Sequence, residues 1–129
     1  MLAVDTNVII RYLTADHPEQ YAKATAVIEG NRIFVSKTTL LETEWVLRSL
    51  YGYQRESTAD RLIAFAALPK VTVEDRVASL TALDWFRRGL DFADAMHLAS
   101  AAGCEALVSF DKGFAKLANP LSELKVRSP

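Results

Sequence analysis

With one cysteine in 129 residues, Cys104, the chain cannot form an internal disulfide, so its fold must rest on a core, and a reduced cytosolic setting is expected. Neither of its two histidines, His17 and His97, stands in an HExxH or CxxC context, which removes the usual zinc sites. Five glycines and four prolines are too few for a collagen-like or low-complexity chain. Long apolar runs are missing as well. The stretch MLAVDTNVIIRYL carries Asp5 inside it and lacks a basic leader, so neither a signal peptide nor a membrane span is expected. The net charge is −1, so the chain has no basic footprint of the kind that attracts nucleic acid through Lys and Arg alone. If RNA or DNA is its ligand, positive charge has to be supplied locally, and bound divalent cations are one source.

What remains is an ordinary composition, 50% hydrophobic and 24% charged, in a length that fits one domain spanning 1–129 with a core of its own. No repeat or linker interrupts it. LAV (2–4) is an apolar run ended by Asp5, and NVIIRYL reads as a short helix capped by Asp5 or Thr6. A second helix is expected from Pro18, behind Asp16 and His17, to Gly30 as its left-handed stop. IFVS (33–36) reads as a short buried strand. Leu40, Leu41, Val46, Leu47 and Leu50 recur at helical spacing through 38–51, with Glu42 near the first turn and Gly52 as the end. Residues 56–67 form a further amphipathic segment, stopped by Leu68 and Pro69. VTV (71–73) is a strand, 74–88 a helix ending at Gly89, and another helix begins after Asp91 and runs to Gly103 with Asp94 in its first turn. ALVSF (106–110) is the clearest strand and ends at Asp111; KGFAKLA follows as a helical turn and LKV as an edge strand.

Short apolar strands alternating with longer helices predict an α/β fold with a parallel sheet covered by helices on both faces. In such folds the carboxyl ends of strands and the amino ends of the following helices line one edge, where ligands bind. Asp5 and Asp111 follow strands, while Glu42 and Asp94 fall in first turns of helices, so the coarse pattern sends all four to that edge. Carboxylates gathered in a cleft repel one another and call for compensation. Mg²⁺ or Mn²⁺ supplies it, since hard cations take oxygen ligands and this set lacks paired Cys or His. One such ion acidifies a bound water, and a second, ~4 Å away, stabilises the leaving oxygen of a phosphodiester displacement. Thr6 and Asn7 beside Asp5, and Ser109 ahead of Asp111, are placed to orient carboxylates or waters.

The stretches AVDTNVIIRYL, LLETEWVLRSLYG, DFADAMHLASA and ALVSFDKGFAKL, in that order, resemble the signature segments of PIN-domain ribonucleases of the VapC toxin type, and the resemblance covers nearly the whole chain. It implies a PIN-like three-layer α/β/α fold with a central, mostly parallel sheet flanked by helices. Residue by residue it places Asp5 in the DTN motif, Glu42 at the acid preceding the WVL segment, Asp94 in the ADAxH segment and Asp111 in the SFD motif. It further implies Mg²⁺- or Mn²⁺-dependent endoribonuclease activity on RNA, a homodimer, and a small VapB-like antitoxin that blocks the cleft, with a higher toxin–antitoxin assembly built from both. Gly113 stands where relatives often carry a further Asp, and Ser109 where Thr is commoner. Glu44 lies close to Glu42, but the spacing to Trp45 matches Glu42 better.

Each of these residues also has a plain structural use. Asp5 can cap the following helix, worth ~1 kcal/mol. Asp91 and Asp94 have the spacing of a capping pair, in which Asp91 caps and Asp94 favours the positive helix end. Asp111 can open a turn, and Glu42 borders an apolar face where a lone acid needs a partner. His97, one turn after Asp94, reads first as a satisfied core or surface histidine. Trp45, Trp85 and Phe86 read as core or dimer contacts before base-stacking groups, and Arg11, Lys37, Arg87, Arg88 and Lys112 are phosphate-binding candidates or solvated charges. Functional rivals also follow from the acids. A non-catalytic Mg²⁺-binding module of receiver type expects paired acids after the first strand, where LAV is followed by DTN. A haloacid-dehalogenase-type phosphatase expects Asp where Asn7 stands. An inactive PIN-like partner-binding module would have lost its acids, and here all four are present.

Overall fold

Helix starts are set by small polar side chains that accept the backbone N–H groups a first turn leaves free. Asp5, His17, Ser36, Asp91 and Asp111 each do so at the head of a helix in the computed structural model, which describes residues 1–129. The chain divides into two compact units, Met1–Arg76 and Val77–Pro129.

The first unit runs β1 (Leu2–Ala3), α1 (Thr6–Thr14), α2 (Pro18–Gly30), β2 (Ile33–Val35), α3 (Lys37–Ser49), α4 (Arg55–Ala66) and β3 (Val71–Val73). Its strands form a sheet in the order β1-β2-β3, every pairing parallel, with Leu2 opposite Ile33 and Ile33 opposite Val71. Parallel pairing requires crossovers, which the helices supply. The middle strand is the most buried, with Ile33 and Val35 wholly inaccessible. Ile9 and Ile10 of α1, Leu40 and Leu47 of α3, and Leu62 of α4 are buried at helical spacing, each such burial contributing about 1.5–3 kcal/mol. Helix α1 packs on α2 and on α3.

The second unit holds α5 (Arg76–Arg87, opening at the boundary), α6 (Phe92–Ser100), β4 (Leu107–Val108), α7 (Lys112–Ala118) and β5 (Val126–Arg127). Strands β4 and β5 pair in parallel, with α7 as their crossover. Phe86 and Phe92, both buried, meet at 5.5 Å between ring centroids across the turn at Gly89, whose φ of 121° no L side chain adopts easily. Asn119 holds β5 from both sides, its amide donating to the Val126 carbonyl at 3.1 Å and its side-chain oxygen accepting from Val126 N–H at 2.8 Å.

The α/β class with parallel strands holds, and several boundaries move. Gly30 stays helical, and the helix ends on extended Asn31. Residues 74 and 75 do not join α5. Lys37 N–H donates to Glu74 Oε1 at 2.9 Å and Lys37 Nζ pairs with Asp75 Oδ2 at 2.8 Å, which fixes both acids against the start of α3. With Ser36 as its cap, α3 begins one residue earlier than expected, and Glu42 lies in the second turn. Helix α6 stops at Ser100, before the left-handed Gly103. The ALVSF segment pairs only at Leu107–Val108, and beyond it Phe110 is 87% exposed. Cys104, expected at the edge of a buried strand, is exposed.

Candidate functional site

Asp5 sits in extended backbone (φ −93°, ψ 177°) between β1 and α1, where Oδ1 accepts from Asn7 N–H at 3.1 Å and from Val8 N–H at 3.4 Å. Its other oxygen takes no hydrogen bond, and the residue is exposed. The next residue, Thr6, is buried, and its hydroxyl donates to Glu42 Oε1. Asp5 and Glu42, far apart in sequence, are thus joined through a single intervening residue. Glu42 is exposed, and the partner that a lone acid beside an apolar face calls for is this hydroxyl. Glu44 is the acid that α3 buries. It is 3% exposed and pairs with Arg48 one turn on, at 2.8 Å. Asn7 supplies only its backbone N–H here; its side chain makes no hydrogen bond.

In the second unit Asp91 caps α6, accepting from Asp94 N–H at 3.1 Å. Asp94 accepts no hydrogen bond at its carboxylate. Its pKa is raised, first by burial, then by the charges of Asp91 and Asp111, with exposed His97 acting in the opposite sense. Asp111 caps α7 through Oδ1, which accepts from Phe114 N–H at 2.9 Å. Ser109 Oγ accepts from Asp111 N–H at 3.0 Å, so this hydroxyl holds the backbone of Asp111 and not its carboxylate. A Cβ placed on Gly113 would lie 3.3 Å from Asp111 Oδ1, a tight contact that glycine avoids.

Glu42 is thus tied to the residue that follows Asp5, and Asp94 feels the charges of Asp91 and Asp111. Within neither unit do three or more Asp, Glu, His or Cys side chains gather at metal-holding spacing. The donor chemistry nevertheless fits a hard divalent cation. Every donor is a carboxylate oxygen, each of the four residues keeps at least one oxygen outside any hydrogen bond, and Asp94 is pressed by like charge that a cation would relieve. The sequence reading did not single out Phe110, whose exposure beside Asp111 depends on β4 ending two residues early. No helix is long and apolar enough to cross a membrane.

A family model described as PIN domain matches residues 2–120. No curated protein and no solved structure matches the chain.

Proposed function

The chain belongs to the PIN-domain family, whose members are generally RNA-acting nucleases that use divalent metal ions, and we propose that this one is an Mg²⁺- or Mn²⁺-dependent endoribonuclease. The observation that carries the reading is the Thr6 hydroxyl bond that fixes Glu42 beside Asp5, with the unbonded, partly buried carboxylate of Asp94 in support. Asp5, Asp94 and Asp111 would hold the metal. Glu42 would hold a second ion or orient the attacking water. When bound, the ion supplies positive charge for the scissile phosphate and acidifies water near neutral pH.

The protein's own groups do the rest. Thr6 fixes one oxygen of Glu42 and leaves the other to accept a proton from water. The caps at Asp5 and Asp111 tie one oxygen to the backbone and present the second. Ser109 steadies the backbone of Asp111. The family match runs through both units, which supports reading 1–129 as one PIN domain.

The finer reading is a VapC-type toxin that hydrolyses cellular RNA to restrain growth, held inactive by a VapB-like antitoxin in the cytoplasm. Its support is the four signature segments in order. Trp45 and Leu50, both exposed, offer apolar surface for a homodimer and for a larger toxin–antitoxin assembly. The test is Mn²⁺-dependent cleavage of RNA by the purified chain beside Asp5→Asn and Asp94→Asn. Cleavage by the parent chain that EDTA abolishes and both substitutions remove is expected; equal, EDTA-resistant cleavage by all three would sink the proposal.

A further inference from the structure

A groove of about 210 Å³ opens between α1 and α2 and starts at Asn7, whose N–H donates to Asp5. We propose that this groove receives one base of the RNA strand, next to the phosphodiester that Asp5 serves; the proposal rests on the ribonuclease reading. The groove has the chemistry of a nucleobase. Val8, Ala24 and Val27 give it apolar walls that suit the faces of a flat ring. Asn7, Arg11, Gln20 and Lys23 form the rim, two carboxamides and two cations with no carboxylate among the lining residues. Amides that both donate and accept match the polar edge of a base, and cations match the phosphates on either side of it.

Arg11 is held in place while keeping donors to spare. Its Nε donates to Gln20 Oε1 at 2.6 Å and its Nη1 to Tyr51 Oη at 2.9 Å and Asp16 Oδ1 at 3.3 Å, and Nη2 makes no hydrogen bond. Gln20 keeps its amide nitrogen for a ligand. The pair of Lys23 with Glu19 spans 3.4 Å with side chains 75% and 76% exposed, so little holds that ammonium back from a phosphate. From Asn7 to Arg11 is one helical turn, about 6 Å along the axis, so the α1 wall of the groove starts two residues past Asp5 and spans one turn. The groove lies wholly within the first unit.

The experiment uses the full chain carrying D94N, so that bound RNA stays intact, in Mg²⁺. Fluorescein-labelled single-stranded RNA hexamers, and copies with one base at a time removed to leave an abasic sugar, are titrated by anisotropy. One abasic position is expected to weaken binding about tenfold, the loss of one base contact. Val27→Phe, which fills the groove, is expected to weaken the intact hexamer equally and to add nothing on the abasic one. Lys23→Ala should reduce the dependence of log Kd on log salt by about one. If Val27→Phe does not fold, Val27→Met fills the same space with a more adaptable chain. Affinity indifferent to every single base, no binding of the hexamers, or a folded groove-filled variant that binds like its parent would each overturn the proposal and hand the groove to a protein segment. Cleavage by the parent chain, assayed separately, keeps the two readings apart. Base-dependent binding without cleavage refutes the ribonuclease and keeps the groove; cleavage with groove-indifferent binding does the reverse.

Discussion

Replacing Asp5 in two ways separates its cap from its chemistry. Its Oδ1 accepts at 3.1 Å from Asn7 N–H and at 3.4 Å from Val8 N–H, and the second bond is long enough that the first carries most of the cap. Losing both by Asp5→Ala should cost about 1 kcal/mol, with a further few tenths from losing an anion at the positive end of α1. Asp5→Asn keeps an acceptor in the same place and loses only the charge, about 0.5 kcal/mol. At this chain length 1 kcal/mol moves the melting temperature by about 3–5 °C, so in EDTA the Ala variant should melt roughly 4–6 °C below the parent and the Asn variant roughly 2 °C below. Metal-dependent cleavage should fall by more than about a hundredfold in both, beyond the loss typical of groups that only support a ligand. Melting by circular dichroism and cleavage of a labelled RNA read the two roles independently. An Asn variant that cleaves like the parent would reduce Asp5 to a cap and refute the reasoning.

Asp94 offers a pH signature. Its folded pKa lies above the ordinary carboxylate value because of burial and the charges of Asp91 and Asp111, so the protonated form is the one the fold favours. Its stabilising contribution is complete below the unfolded pKa and disappears as pH rises through the folded one. Asp94→Asn should therefore melt above the parent at pH 7 and lose that advantage toward pH 4, and melting curves showing the same shift at both pH values would contradict this. Mn²⁺ at ten times its dissociation constant should stabilise the parent by about 1.4 kcal/mol and the Asn variant by much less, read by the same melts. Thr6→Val keeps shape and removes the donor to Glu42; kcat should drop about tenfold with KM little changed, and Thr6→Ser should restore it. Unaltered kcat in the Val variant would end the positioning role. Glu42→Gln should abolish cleavage with a small stability change, while Glu44→Gln, which removes the charge of the buried partner of half-exposed Arg48, should cost about 1 kcal/mol and leave kcat intact in the folded fraction. The opposite pattern would exchange the two glutamates.

Helix starts were the most legible where a cap acts locally: Asp5 and Asp91 announce themselves by residue type and by the apolar periodicity that follows, whereas Ser36, which caps α3, read as the end of a strand. The parallel strands were equally plain at Ile33–Val35 and Val71–Val73, where short β-branched runs are bounded by polar or turn-forming residues. Failures came where a distant partner decides. Glu74 and Asp75 look like the first turn of a helix until Lys37, a residue 37 positions earlier, draws them to α3. The order of burial between Glu42 and Glu44 rests on Thr6 and Arg48, one reached across the fold and one a turn along the helix. Phe110 reads as strand core by composition, yet the last backbone bond to β5 comes from Ser109 N–H and Phe110 lies beyond it, exposed. The groove between α1 and α2 had no sequence signal, since Val8, Ala24 and Val27 fit an amphipathic pattern whether the space beside them is filled or open.

The caps at Asp5 and Asp111 carry a thermodynamic consequence. A carboxylate free to rotate must give up that freedom when it takes hold of a ligand, at a cost of about 0.5–1.5 kcal/mol for an immobilised side chain. Here one oxygen of each is already anchored by an N–H of its own helix, so the rotamer is chosen when the chain folds. Preorganisation of this kind shifts an entropic cost from ion capture to folding, and it does so with bonds that the helices need for their own termination.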